Sequence, residues 1–291
     1  ESESLNKTSF AKIVVLPQNA DYDFQPKVET GTNHTITVRY DGSVWGFGVN
    51  THGQLGLGDE TEVATPKKLA IANVRQISAG EDYTLFLQMN GTVYATGNYE
   101  HNKLGIYNLS ADLRTPTRIP SFLGASVVAV SAGTNHSLAL YYTTNAASFG
   151  DNSYGQLGNG NLLETTAIQS IEASGIFDIS AGYNHSMITD QSGKLYVFGD
   201  NSLGQLGLGG MNDGTIQYVS KPISNEMFLS NVYAMSISAG NKFSTFADRN
   251  GIVYGFGDYT QGKGTEFGLD TIETRSDNSC YDRRIKTCCR R

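Results

Sequence analysis

The stretch DISAGYNHSMITDQSGKLYVFGDNSLGQLGLG, residues 178–209, decides how this chain is read, because four other stretches repeat it with changes. The glycine of its Ser-Ala-Gly step returns at Gly31, Gly80, Gly133, Gly182 and Gly240, at intervals of 49, 53, 49 and 58 residues. A period of this size is the mark of a repeat architecture. Each copy follows one grammar. A short apolar strand ends in small residues, as in Ile77-Ser78-Ala79-Gly80 and Val130-Ser131-Ala132-Gly133. An alternating run follows, such as His185-Ser186-Met187-Ile188-Thr189, and then a turn: Asp41-Gly42, Asn90-Gly91, Ser192-Gly193 or Asn250-Gly251. These dipeptides predict tight hairpins whose two central residues both take positive φ. A second strand, such as Leu195-Tyr196-Val197-Phe198-Gly199, leads into a glycine-rich loop, Gly204-Gln205-Leu206-Gly207 in this copy.

About fifty residues with several short strands make one small antiparallel sheet, which cannot bury both of its faces alone. Stacking copies around an axis buries those faces against neighbours and leaves only short edges, which is the β-propeller solution. The crowded inner ends of the strands then call for small residues, and Ser-Ala-Gly meets that need.

The succession A-G-x-x-H-S, D-G-x-V-Y-x-F-G-x-N and G-Q-L-G-x-G resembles the regulator of chromosome condensation repeat family, over roughly residues 25–268. The resemblance implies an all-β propeller of the kind that family builds with seven blades. Five copies are legible here, and a closed ring of about five blades is expected in preference to an open one. Copies fall at about 28–69, 74–119, 127–171, 176–223 and 232–268. Residues 1–24 read as a tail holding a candidate ring-closing strand, Phe10–Leu16; residues 25–269 form the array; residues 270–291 read as a basic, Cys-containing tail outside the blades. The third copy has Tyr142-Thr143-Thr144-Asn145 in place of the turn glycine, which predicts a longer or distorted hairpin.

With 291 residues and a formal net charge of −7, the chain lacks the clustered basic charge that nonspecific nucleic-acid or anionic-membrane binding requires. No apolar run approaches the roughly 18 residues needed for a membrane-spanning helix. Glu1 in place of Met reads as the start of a processed chain or of a fragment; the processed reading favours secretion, with the cytoplasm as the alternative. Cys280, Cys288 and Cys289 all lie in the last twelve residues and are candidates for a disulfide or an intermolecular bridge. The sequons at Asn6 and Asn108 lie in tail and loop and are the better candidate glycan acceptors, since those at Asn33, Asn135 and Asn184 belong to the repeat itself.

His34, His136 and His185 occupy one repeat position, where a ring of metal ligands is conceivable. Tyr83 and Phe243 hold that position in the other copies, so the slot is read as structural, each ring bonding within its own blade. No helix pattern follows the glycine-rich loops, so they read as turns and not as phosphate cradles. No nucleophile elbow, zinc-protease motif or paired carboxylate appears, and neither a catalytic set, a cofactor nor a metal is expected. The leading functional expectation is a non-enzymatic scaffold that binds proteins, or itself, through loops and tails. Two alternatives stand: a guanine-nucleotide exchange factor for a small GTPase, which the family resemblance implies, and a secreted lectin-like or inhibitory propeller.

Overall fold

The computed structural model describes residues 26–122, 124, 126–208, 216–224 and 232–258, and the backbone of 273–274 and 279–281. Five antiparallel sheets follow one another along the chain. Blade one is β1 (Lys27–Thr30), β2 (His34–Val38), β3 (Val44–Gly48) and β4 (Val63–Lys68). Blade two is β5 (Val74–Ala79), β6 (Tyr83–Gln88), β7 (Val93–Gly97) and β8 (Leu113–Arg118). Blade three is β9 (Val127–Ala132), β10 (His136–Tyr141), β11 (Ala146–Gly150) and β12 (Thr165–Ser170), and blade four is β13 (Ile176–Ala181), β14 (His185–Asp190), β15 (Leu195–Asp200) and β16 (Tyr218–Ser224). Blade five starts with β17 (Ala234–Ala239), β18 (Phe243–Asp248) and β19 (Val253–Gly257). Its outer edge is completed by β20 (Glu273–Thr274) and β21 (Ser279–Tyr281), with Cys280 opposite Gly255 in the β19–β21 pair. Part of the stretch expected to be a free tail therefore takes a blade position. Phe10–Leu16, Asn6, Cys288 and Cys289 lie outside the described residues.

In blades one to four the strands run up and down in chain order, in blade five β21 lies between β19 and β20, and the first strand of each blade packs against the first strand of the next. The all-β class is the one the sequence grammar implies, whereas the fifth blade runs past the expected end at 268 through Ser279–Tyr281. The apolar positions form a core between sheets: Leu138, Met187, Ile188, Val197 and Phe246 belong to one continuous cluster that spans blades three to five.

The hairpins differ from expectation in a definite way. Gly42, Gly91, Gly193 and Gly251 have φ of 72°, 80°, 76° and 78°, but the residue before each does not take positive φ. Gly42 N donates to Arg39 O and Arg39 N to Ser43 O, both at 2.9 Å, so the loop has three residues and ends in a left-handed glycine. This is a type I turn followed by a bulge glycine, not the two-residue type I′ turn. In blade three Thr144 takes that left-handed position with φ 63°, and Tyr141 N still donates to Asn145 O at 2.9 Å. The hairpin keeps its length, and the missing glycine is met by local strain.

Candidate functional site: the blade seams and the long-loop face

The five repeat glycines share one environment. Thr30-Gly31-Thr32, Ala79-Gly80-Glu81 and their counterparts through Ala239-Gly240-Asn241 line a central opening of about 340 Å³. A Cβ on Gly133 would lie 2.4 Å from the carbonyl oxygen of Gly182 in the next blade and 2.8 Å from its own blade's His136 ring. Gly80 and Gly182 are held in the same way, against Gly133 O and Tyr83 and against Gly240 O and His185. At Gly31, Gly80, Gly133 and Gly182 backbone crowding between blades, not positive φ, dictates glycine, whereas at Gly240 the nearest atoms are those of its own blade's Phe243 ring.

The ring residue beneath each of Gly31, Gly80, Gly133 and Gly182 points into the next blade. His34 Nε2 lies 3.0 Å from Thr84 Oγ1, His136 Nε2 lies 2.9 Å from Ser186 Oγ, and His185 Nε2 lies 2.8 Å from Ser244 Oγ. The histidines are structural, but they join blades; the expectation that each bonds within its own blade is corrected. Burial is the cause of their low basicity. It pulls His34 and His136 down to about 4, against smaller upward pulls from Asp82 and Asp151, and it pulls His185 down to about 3 with a further contribution from His136.

Between blades two and three the chemistry changes. Tyr83 replaces His, and its hydroxyl lies 2.7 Å from His136 O and 2.9 Å from Ser137 Oγ. Lys103 replaces the loop Gln. Its side chain is 2% exposed, and Nζ lies 2.8 Å from Asp82 Oδ1 and 3.0 Å from Asn135 Oδ1 of the next blade.

Further bonds repeat at the seams. Ala132 N, Ala181 N and Ala239 N donate at 2.9 Å to Ser78, Ser131 and Ser180 Oγ of the preceding blade. Gln76 brackets Val130 with both of its amide atoms, at 3.0 and 3.1 Å. Burial raises the Asp178 carboxyl, while hydrogen bonds from the Ile179 and Ile237 amides pull it back down. Sequence reasoning did not assign these roles to the serines and hydroxyls. Their signal was present, because a Ser or Thr follows the ring residue in all five copies: Thr35, Thr84, Ser137, Ser186 and Ser244.

The glycine-rich loops are internally committed too. Leu55, Leu104, Leu157 and Leu206 are fully buried. Gln156 and Gln205 each accept a backbone N–H at 2.9 Å and donate to Asp151 and Asp200 at 3.0 and 2.7 Å. Among the described residues no cluster of three or more His, Cys, Asp or Glu side chains could hold a metal ion. What remains unabsorbed is the outside of the long loops that join the third and fourth strands, on the same end of the blades as the central opening. Loops 98–112 and 151–164 carry Tyr107, Tyr154, Leu162 and Leu163, all exposed, with Leu163 at 72%. The two loops are joined by Asn102 Nδ2 to Glu164 Oε1 at 3.3 Å and by His101 Nδ1 to Glu164 Oε2 at 3.7 Å. Asn108 is exposed on the same loop with φ 58°.

The signature described as the regulator of chromosome condensation (RCC1) repeat matches residues 41–87, 90–140, 148–189 and 192–247. The chain belongs to the RCC1 repeat family. Crystal structures of yeast RCC1 (Prp20) share its fold. The one bound to Kap60 has a TM-score of 0.68 and 26% identity over 80% of this chain and 56% of that chain. A second, titled with binding to Gsp1p and histones, has a TM-score of 0.69 and 27% identity over 79% of this chain and 56% of that chain. Among curated relatives, the probable E3 ubiquitin-protein ligase HERC6 of Homo sapiens is 34% identical over 45% of this chain and 13% of its own length. The ultraviolet-B receptor UVR8 of Arabidopsis thaliana is 30% identical over 47% of this chain and 31% of its own length. The chain thus spans about half of the solved relatives and less than a third of these curated ones. An RCC1-type propeller with protein-binding relatives is the functional class. Among the described residues no helix is long and apolar enough to cross a membrane.

Proposed function

We propose that this chain is a non-enzymatic protein-binding array that docks partners on its long-loop face. One observation carries the reading. The polar residues that recur from copy to copy are spent on seams and loop cores, whereas Tyr107, Tyr154, Leu162 and Leu163 stand exposed on two loops that are bonded to each other. Exposed aromatic and aliphatic side chains held on rigid loops are the usual anchors of protein interfaces. Prp20, solved with Kap60 and tested with Gsp1p and histones, is consistent with such use of the fold. Replacing the four side chains by Ser leaves the seams untouched. Cross-linking mass spectrometry should then lose the partners captured by the unaltered chain, and retention of the same partners would place the interface elsewhere.

A second reading, exchange-factor activity on a small GTPase, is favoured by the likeness to Prp20 over 80% of this chain. It predicts accelerated nucleotide release from at least one GTPase of a panel. The scaffold reading predicts none.

A further inference from the structure

Three seams share a property that the fourth lacks. In each histidine seam the partner hydroxyl gives its only proton to a loop carbonyl: Thr84 Oγ1 to Gln54 O at 2.8 Å, Ser186 Oγ to Gln156 O at 2.9 Å, and Ser244 Oγ to Gln205 O at 2.7 Å. The hydroxyl can then only accept from the imidazole, which fixes the imidazole proton on Nε2 and leaves Nδ1 bare. Nδ1 of His34, His136 and His185 is buried with no hydrogen-bond partner. A second proton would sit there facing the packed backbone of Gly31, Gly133 or Gly182, without an acceptor. The seam between blades two and three holds no such imidazole; Tyr83 and Lys103 take its place beside the Gln76 and Ser78 bonds.

We propose that the array is an acid-releasable stack: on mild acidification the histidine seams open, while blades two and three stay joined through Tyr83 and Lys103. Above pH 6.5 an exposed and a buried imidazole are both neutral, and the seams feel no effect. Below it the opened seam binds a proton that the closed seam refuses. Opening therefore becomes about tenfold more favourable per pH unit per seam, until the buried group itself titrates at about 4 or below.

Other groups face these imidazoles. His34 meets Asp82, itself paired to Lys103; His136 meets Asp151 on its own blade, His185 across the seam and the Tyr83 hydroxyl behind it. Asp178 at the seam between blades four and five has a carboxyl raised by burial, so acidification favours its closed form and opposes opening there. Ala129 holds the position of Asp178 in blade three, which makes the seam between blades three and four the cleanest test.

Hydrogen exchange on the full chain, corrected for intrinsic rates, reads each seam separately. The amides of Thr134 and Ala181 report on the seam between blades three and four, and those of Val130 and Ala132 on the seam between two and three. Between pH 6.5 and 5.0 protection of the first pair should fall roughly fifteenfold and that of the second pair should hold. Equal loss at both seams, or none at either, overturns the proposal. His136→Gln keeps an N–H donor, and the pH dependence of the first pair should vanish; a persistent dependence counts against it. If that variant does not fold, imidazole NMR of the unaltered chain decides. A His136 pKa below 5 with the proton on Nε2 supports the device, and an ordinary value refutes it.

Discussion

Blade four and blade five share their first three strands, yet of the two, among the described residues, only blade four has its second strand buried on both faces. In β14 five of six residues are buried, from His185 to Thr189. In β18 the burial alternates, and Phe243, Thr245 and Ala247 are only half buried. Blade one shows the complementary pattern on its other face: Thr35 and Thr37 are half buried, while His34, Ile36 and Val38 are buried. The residue types follow. Thr245 stands where the other blades have Ile36, Leu85, Leu138 and Met187, and Thr37 stands where they have Phe86, Ala139, Ile188 and Phe246. The difference teaches that burial of a given repeat position depends on the neighbouring blade and not on the repeat itself, as expected of a stack stabilised by nearest-neighbour interfaces.

That contrast can be broken most severely at the repeat glycines. Gly133→Val forces a side chain against Gly182 O and should cost roughly 3 kcal/mol or more, or prevent folding. Gly255→Ala in blade five meets nothing closer than 3.6 Å among the described residues and should leave the urea midpoint nearly unchanged. Similar losses from both would mean that the blade seams do not control stability.

The next contrast is a core pair at one register position. Leu138→Ala, fully buried in blade three, should cost about 2–5 kcal/mol, whereas Thr245→Ala should cost less than about 1 kcal/mol. Equal costs would show that the outer face of blade five is as well packed as an inner seam. Tyr83→Phe keeps the ring and removes the hydroxyl shared by Ser137 and His136 O, for an expected loss of about 1–2 kcal/mol by chemical unfolding. A neutral result would show that the ring alone makes the seam.

The smallest effect is expected on the loop surface. Arg114 Nε and Glu60 Oε1 are 2.8 Å apart with side chains 58% and 40% exposed, and Glu60→Gln should change stability by less than about 0.5 kcal/mol. A larger change would make the long loops part of the stabilising framework and weaken their assignment as free interaction surface.

Much of the blade was legible residue by residue. The alternation in His185–Thr189 and Leu195–Gly199 gave two strands, the apolar Ile179 gave the core side of a third, and Gly204-Gln205-Leu206-Gly207 gave the loop. The hairpin type was not, because Asn-Gly and Asp-Gly serve both the two-residue turn and the three-residue loop with a terminal left-handed glycine, and only the closing pair Arg39–Ser43 separates them. The strand at Ser279–Tyr281 was also missed, since three residues carry no period and their pairing comes from β19, more than twenty residues earlier. Of the candidate site, the repeated glycines and histidines were visible, whereas the exposure of Tyr107 and Leu163 was not: an aromatic in a loop reads the same whether it faces solvent or a neighbouring blade.

The sequence by itself determined the repeat, its strands and the positions that must be small, since these follow from local periodicity and from the lack of room for a Cβ where strands converge. Only the tertiary structure decided which way each ring residue turns. His136 could have bonded its own blade as readily as Ser186 by sequence spacing, and it crosses the seam to Ser186 Oγ while its Nδ1 edge packs against Gly133 of its own blade. The consequence, a buried imidazole with one committed nitrogen and one bare, is a property of two packed sheets and of neither alone.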